Sequence, residues 1–351
     1  MAFSKFFKIK NVVPILFLFF SASCVSTESL DVSSPSDSSK NQITLLLSSP
    51  AEVSTRSDHD GFSLRYVAKL LKVNYGTNTT LIDRKEIIES SDNSENKIIF
   101  KADPGSKYYV YIFADYIPSE SEKDKDGYYP DYFYNTKSED GVVTLNNHPE
   151  GGTKISPNFF NNDNYDCFNI SHLVEKKNDE VRLSEPLQRA VAKVRFIDEN
   201  LDEENFGSLK FSNLSYFPSF NHQDDTRAGA LPLRSSDLEH ISIETASDPE
   251  NKELFFFYTF SHSSKVNLPY EIKFTTYNSA GEALTKQINE IPTQKNFITN
   301  VKGSFLSLEG LSEDNPGNDT PGTDETKEGD IILDLDYNQN WNDVIIEIIA
   351  N

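Results

Sequence analysis

From Tyr108 to Ile117 the chain is apolar or aromatic at every position except Asp115. Tyr109, Tyr111 and Phe113 fall on one side of an extended backbone, and Val110 and Ile112 fall on the other. A strand with that pattern must be covered on both faces. One sheet open to water cannot satisfy it, so the chain has to fold as stacked layers. Composition points the same way. The chain holds 25 Phe and 16 Tyr against one Met and one Trp, a balance that favours strands over helices.

Other runs fill in the pattern. Order is expected to begin near Gln42, where Ile43, Leu45 and Leu47 alternate with polar or less constrained positions as in a strand. Phe62 to Val73 fits either a strand or a helix by period, and its surroundings favour a strand. Lys97 to Lys101 and Gly141 to Leu145 are further strand candidates, and Glu180 to Ser184 starts a new passage. Pro118 to Asp131 is polar and acidic and reads as a loop, and an Asn- and Gly-rich stretch runs on to about Asn164. Leu187 to Ile197 is the strongest strand of the middle region. Beyond it come Ser208 to Ser215, His240 to Glu244, Glu253 to Phe260, Tyr270 to Tyr277 and Asn296 to Leu308. Short strands at such spacing, with turn residues between them, favour β-sandwiches.

At 351 residues there is room for two ordinary domains, each with its own core. The expected division is an export signal over 1–23, a Ser- and Asp-rich tether over 24–40, and a first sandwich over 41–185. A second sandwich follows over 186–312, then a linker over 313–329 and a C-terminal β segment over 330–351. The signal rests on Lys5, Lys8 and Lys10, followed by an apolar run from Val12 to Phe20 that is too short to span a bilayer. Ser21 to Ser23 then lead to Cys24, as in a bacterial lipobox, although Ser21 stands where an aliphatic residue is preferred. Cys24 is therefore the candidate lipidation site, and an ordinary cleaved signal is the alternative. If Cys24 carries lipid, Cys167 has no disulfide partner and reads as a small buried apolar residue. At the far end, Ile331 to Tyr337 and Val344 to Ile349 are strongly β-prone and free of proline. Such a segment needs a sheet edge to pair with.

Charge and motifs narrow the function. The net charge is −22, and it becomes −25 without Lys5, Lys8 and Lys10, so a nucleic-acid partner would be repelled. No phosphate-binding glycine loop, HExxH pair or nucleophile elbow occurs, and no cofactor is expected. The histidines at 59, 148, 172, 222, 240 and 262 lack metal-ligand spacing and read as surface residues. Asp124 and Asp126 offer two carboxylates on a turn without the remaining ligands of a calcium loop. Asp334, Asp336, Asn338 and Asn340 alternate as calcium ligands do, but Gln339 and Ile345 stand where glycine and glutamate are required. Tyr128, Tyr129, Tyr132, Phe133 and Tyr134 either stack on sugars or pack beneath the acidic loop. Nothing here argues for catalysis.

Several phrases in order resemble the fimbrillin-like lipoproteins of the Bacteroidota, the subunits of type V pili and their relatives. They are Ser54 to Arg56 followed by Asp60 and Gly61, Tyr111 to Tyr116, Tyr132 to Thr136, Asp166 to Phe168, Leu187 to Val194, and Ile291 to Gly303. The resemblance implies an all-β chain of two tandem transthyretin-like β-sandwich domains, exported and anchored by lipid to the outer membrane. It also implies assembly by β-strand exchange with other fimbrial subunits or with copies of itself, and adhesion to a host or bacterial surface ligand. Arg56 matches the family's processing site, and Ile43, Leu45 and Leu47 match the strand displaced after the cut. On the other side Ile331, Leu333, Leu335, Tyr337, Val344, Ile346 and Ile348 form a candidate donor strand, or one that completes the chain's own sheet. The competing class is a lipid-anchored glycan- or ligand-binding protein that uses Tyr128 and Tyr132.

Overall fold

The structure is a computed structural model that describes residues 39–48, 59–75, 78–90, 96–146, 156–184, 186–198, 200–202, 204–222, 226–227, 233–234, 241–281, 283–306, 333–335 and 345–350. It is all-β apart from three single 3₁₀ turns. The first strands are β1 (Gln42–Leu46), β2 (Phe62–Val73), β3 (Thr79–Ile88), β4 (Lys97–Lys101), β5 (Lys107–Pro118), β6 (Tyr134–Asn135), β7 (Val142–Leu145) and β8 (Cys167–Glu175). Next come β9 (Val181–Leu183), β10 (Gln188–Arg189), β11 (Val191–Asp198), β12 (Phe206–Leu214), β13 (Ser219–Asn221), β14 (Thr226–Arg227), β15 (Leu233–Arg234) and β16 (Ser242–Ile243). The last are β17 (Glu253–Phe260), β18 (Val266–Asn267), β19 (Ile272–Asn278), β20 (Ala283–Ile288), β21 (Pro292–Thr293), β22 (Ile298–Gly303), β23 (Leu333–Leu335) and β24 (Ile345–Ala350).

Two pairs of sheets carry the mass. In the first, a three-stranded sheet ordered β4-β1-β9 faces a five-stranded sheet ordered β10-β8-β5-β2-β3. In the second, a sheet ordered β17-β11-β22-β24-β23 faces one ordered β15-β12-β19-β20, with β16 also on β12. The strands expected at Phe62 to Val73, Lys97 to Lys101 and Glu253 to Phe260 form with those limits. The run expected from Leu187 to Ile197 is instead broken at Ala190. β10 stays with the first pair of sheets and β11 begins the second, while the Ala190 amide donates to the Cys167 carbonyl (2.8 Å). The run expected from Asn296 to Leu308 is shorter, because Asn296 takes a left-handed turn (φ 65°) before β22.

The alternation along β5 sorts as the pattern requires. Tyr108, Val110, Ile112, Ala114 and Tyr116 join Leu64, Tyr66, Ala68 and Leu70 of β2 in the first core. The opposite faces of β2 and β5 carry Arg65, Val67, Tyr111, Phe113 and Asp115, and these are buried too. Their cover is the acidic segment after β5. Arg65 and Asp115 are direct cross-strand neighbours, and Arg65 donates from Nε (2.9 Å) and Nη2 (2.8 Å) to the two oxygens of Asp115. Its Nη1 reaches Asp131 at 3.0 Å. From β3, Arg84 pairs with Glu86 and donates to the Thr136 carbonyl (3.1 Å) and hydroxyl (2.8 Å). Glu86 accepts the Tyr129 amide (2.9 Å), and Asp131 accepts the Thr136 amide (2.9 Å) and hydroxyl (2.7 Å). The loop is thus nailed to the sheet by charge-assisted hydrogen bonds of the stronger kind.

The second core is aromatic. Phe196 stacks on Phe255 (4.2 Å between centroids), Phe160 on Phe211 (4.4 Å), and Phe274 meets both Phe196 and Phe255 edge-on. Phe113, Phe133, Tyr134, Val143, Phe159, Tyr165 and Cys167 belong to this cluster as well. The sheet ordered β14-β13-β7-β6 joins strands from the two halves of the chain, with Phe220 paired to Val143. The halves are stitched further by Arg189, which bonds Asp166 at 2.7 and 2.9 Å and Asn296 at 3.2 Å.

Replacing Asp115 with Ala leaves the guanidinium of Arg65 buried beside a lost two-bond partner. Breaking a pair of this kind costs about 3–5 kcal/mol. Urea unfolding of Asp115→Ala should show a loss of that size, whereas Asp126→Ala, at the exposed tip of the same loop, should stay within about 0.5 kcal/mol.

Candidate functional site

β1 lies in the interior of its sheet. It runs antiparallel to β4, with Ile43 opposite Phe100 and Leu45 opposite Ile98, and parallel to β9, with Ile43 opposite Val181. Ile43 and Leu45 are fully buried and Leu47 nearly so, all within the first core. Each such side chain contributes about 1.5–3 kcal/mol by burial. Between them Thr44 donates its hydroxyl to Glu180 (2.9 Å), and Leu46 is 43% exposed on the far side. Both ends are tied down. The Asn41 carbonyl accepts the Ala102 amide (2.9 Å), the Leu47 amide donates to the Asn96 carbonyl (2.9 Å), and Lys176 Nζ donates to the Lys40 carbonyl (2.5 Å).

Among the described residues, β4 and β9 have β1 as their ladder partner in this sheet. Without β1 the sheet would present a slot with two unpaired backbone edges and a floor of three apolar pockets. The outer edge of β4 is guarded differently. Lys85 Nζ reaches across from β3 to the Ile99 carbonyl (2.6 Å), the kind of lysine that blunts an edge against outside strands. The slot left by β1 has no comparable guard, because β1 itself fills it.

Arg56 and Cys24 lie outside the described residues. Just beyond Arg56, the chain is anchored again at His59. That ring stacks on Tyr116 (3.7 Å, 13° between planes), its Nδ1 lies 2.7 Å from Asn164 Oδ1, and its carbonyl accepts the Phe62 amide (2.9 Å). The span between the end of β1 and this anchor contains Arg56.

The C-terminal segment pairs within the chain. β24 runs parallel to β22, with Ile346 opposite Thr299 and Ile348 opposite Val301. β23 is antiparallel to β24, with Leu333 opposite Ile348 and Leu335 opposite Ile346. Ile331, Tyr337 and Val344 lie outside the described residues. β1 and β24 therefore sit in different sheets, and the structure does not bring the two candidate strands together.

The other candidates resolve into structural roles. Phe133 and Tyr134 are core residues, and the Tyr134 hydroxyl donates to the Tyr165 carbonyl. Tyr128 has the Arg84 guanidinium over one ring face (4.9 Å), and Tyr132 packs between Phe62 and Phe133. Asp124 caps a turn, accepting the amides of Asp126 (2.9 Å) and Tyr128 (3.0 Å), with Gly127 at φ 85°. Among the described residues no group of three His, Cys, Asp or Glu could hold a metal ion. Cys167 is buried, and burial pushes its thiol well above the usual range, so it is an inert core residue.

One expectation fails. His222 is not a surface residue: it is buried against Tyr111, Phe113 and Phe220. Loss of solvation, reinforced by Lys69 and Lys295, pulls its imidazole down to about 3. The loop position that suggested exposure is covered by the joint between the two halves, which no local pattern reveals.

Residues 35–347 match the model of a family described as "Family of unknown function (DUF6562)". No curated protein is similar to the chain. Among solved structures it is similar to the fimbrial anchor protein Mfa2 from Porphyromonas gingivalis, at 14% identity and a TM-score of 0.41, over 71% of this chain and 81% of that one. It is also similar to the tip fimbrial protein Mfa3 from Porphyromonas gingivalis with C-terminal truncation, at 10% identity and a TM-score of 0.36, over 70% of this chain and 81% of that one.

Two measurements probe the geometry. Leu45→Ala should cost about 2–5 kcal/mol, as for other buried leucines, and Leu46→Ala much less; urea titration separates them. His222 has a folded pKa below its unfolded value of 6.5, so its contribution is whole above pH 6.5 and is lost as pH falls toward 3. Thermal midpoints of His222→Gln should accordingly fall less steeply than those of the unaltered protein between pH 6.5 and 4.

Proposed function

The chain belongs to the DUF6562 family, and we propose that it is a structural subunit or anchored accessory component of surface fimbriae that assembles by β-strand exchange. The supporting observation is the position of β1. It is an N-terminal strand that fills three core pockets between two other strands, and it is followed by a short span containing Arg56. A cut after Arg56 would leave the rest of the chain anchored from His59 onward and would free β1 to leave. The vacated slot then accepts a strand from a second subunit, through a main-chain ladder and alternating apolar side chains.

In this reading Cys24 carries the lipid that holds the unprocessed protein at the outer membrane, and more than one acyl chain makes that anchoring firm. The residues Ile331, Leu333, Leu335, Tyr337, Val344, Ile346 and Ile348 either complete the chain's own second sheet or pass to a neighbour. The partners are other fimbrial subunits or further copies of this chain, with adhesion to a surface ligand as the outcome. The function needs no catalysis. Binding of sugars through Tyr128 and Tyr132 is the weaker reading, because those rings are engaged with Arg84, Phe62 and Phe133.

N-terminal sequencing of the protein taken from cells tests the processing step. A start at Ser57 is expected of a polymerising subunit, and an acylated Cys24 of a retained anchor. In a second test, protein trimmed through Arg56 is run unboiled on a denaturing gel. Heat-labile multimers should appear only after trimming, and a monomer under both conditions would defeat strand exchange.

A further inference from the structure

A small cavity lies where the outer face of β2 and β5 meets the joint between the two halves. Lys69, Tyr111, Phe113, Thr136, Val143 and His222 line it. The space suits about one water-sized body. Gly141 packs against the ring of Tyr111, one of the lining residues. It sits at φ 81°, and a Cβ there would meet the Tyr111 ring at 2.9 Å, so only glycine lets the loop come this close.

The polar groups around this space do not balance. Lys69 is 4% exposed. Its ammonium donates to the Ser138 carbonyl (2.5 Å), and among the described residues no carboxylate stands within ion-pair distance of it. The carboxylates nearby are already engaged. Asp131 serves Arg65 and Thr136, Asp140 accepts the Ser138 hydroxyl and the Val142 amide, and Glu86 serves Arg84 and Tyr129. On the other wall, His222 Nδ1 is buried and has no hydrogen-bond partner. A buried ammonium with one hydrogen bond and a buried imidazole nitrogen with none, on two residues that line the same space, are costly as they stand.

We propose that this cavity is a binding site for a monovalent halide ion, chloride being the natural occupant, held between the Lys69 ammonium and His222 carrying its proton on Nδ1. A halide supplies one negative charge in a nearly atomic volume, accepts from several donors at once, and tolerates the apolar walls of Phe113 and Val143. Larger oxyanions do not fit. Bound there, it ties β2, β5 and the loop to the segment after β13, so it fastens the joint between the halves. Charges reaching the site are Lys69 from β2, Arg84 from β3, Lys295 from the turn before β22, and Asp131, Asp140 and Glu86 around it. Burial holds Lys69 down at about 8 and His222 at about 3. A bound anion favours the protonated form of each, so by linkage the halide binds more tightly as pH falls.

The test uses the purified protein in sodium chloride, sodium bromide or sodium gluconate at equal ionic strength. The thermal midpoint should be several degrees higher in either halide than in gluconate, with a wider gap at pH 5.5 than at pH 8. Lys69→Met and His222→Phe should each remove the gap. Crystals grown in bromide should give an anomalous peak in contact with Lys69 Nζ. Equal midpoints in halide and gluconate, a gap that survives Lys69→Met, or water alone at the site would overturn the proposal. If Lys69→Met does not fold, the bromide map of the unaltered protein decides the matter.

Discussion

The bond from Arg65 to Asp115 settles a conflict that the first sheet cannot avoid. β2 and β5 each carry apolar residues on both faces, so one face meets the three-stranded sheet and the other needs a second cover. That cover is an acidic loop, a poor choice by hydropathy. Arg65 makes it workable by gathering Asp115 and Asp131 into one buried cluster, to which Arg84, Glu86 and Thr136 are added. Such clusters add little to stability against a hydrophobic replacement of the same shape. What they secure is register, since the loop can sit in one place only, and the strands β6 and β7 that follow are thereby aimed at β13.

Much of this frame is legible in the residues, and the gaps have physical causes. β2, β4, β5 and β17 declare themselves because alternation or unbroken apolarity survives along their length. β3 does not, because Asp83, Arg84, Lys85 and Glu86 stand in its middle and look like a surface turn. Two of those charges are consumed by the buried cluster and Lys85 by the edge of β4, and neither use has a local signature. β8 mixes Asn169, Ser171 and His172 into its apolar run, and β20 is an edge strand with one face in water. His222 is the same lesson at a single residue. Its burial comes from Tyr111 and Phe113, more than a hundred positions away in the chain. The strand candidates at the termini are legible for the opposite reason: alternation at Ile43, Leu45 and Leu47 carries three core contacts in five residues.

The two halves are less separate than a pair of beads. Phe113, Phe133, Tyr134, Val143, Phe159, Tyr165 and Cys167 pack into the aromatic core of the second half, the sheet through β7 and β13 spans both, and the chain changes sheets within the single residue Ala190. An interface built this way resists rigid-body motion. Force applied along the chain would therefore reach both cores together.

Strand exchange, as proposed, faces a competition from β1 itself. β1 is joined to the body through the ten residues 49–58, so its return to its own slot is an intramolecular event. Such an event does not depend on the concentration of free strands in solution. An incoming strand of equal affinity cannot displace it at ordinary concentrations. Cutting the span would remove the advantage, because β1 would then have to rebind as a separate chain. The body survives the break, since His59 is held by Tyr116 and Asn164 independently of β1. A cut at Arg56 would therefore act as a switch on assembly through tether length alone, with no change in the shape of the slot.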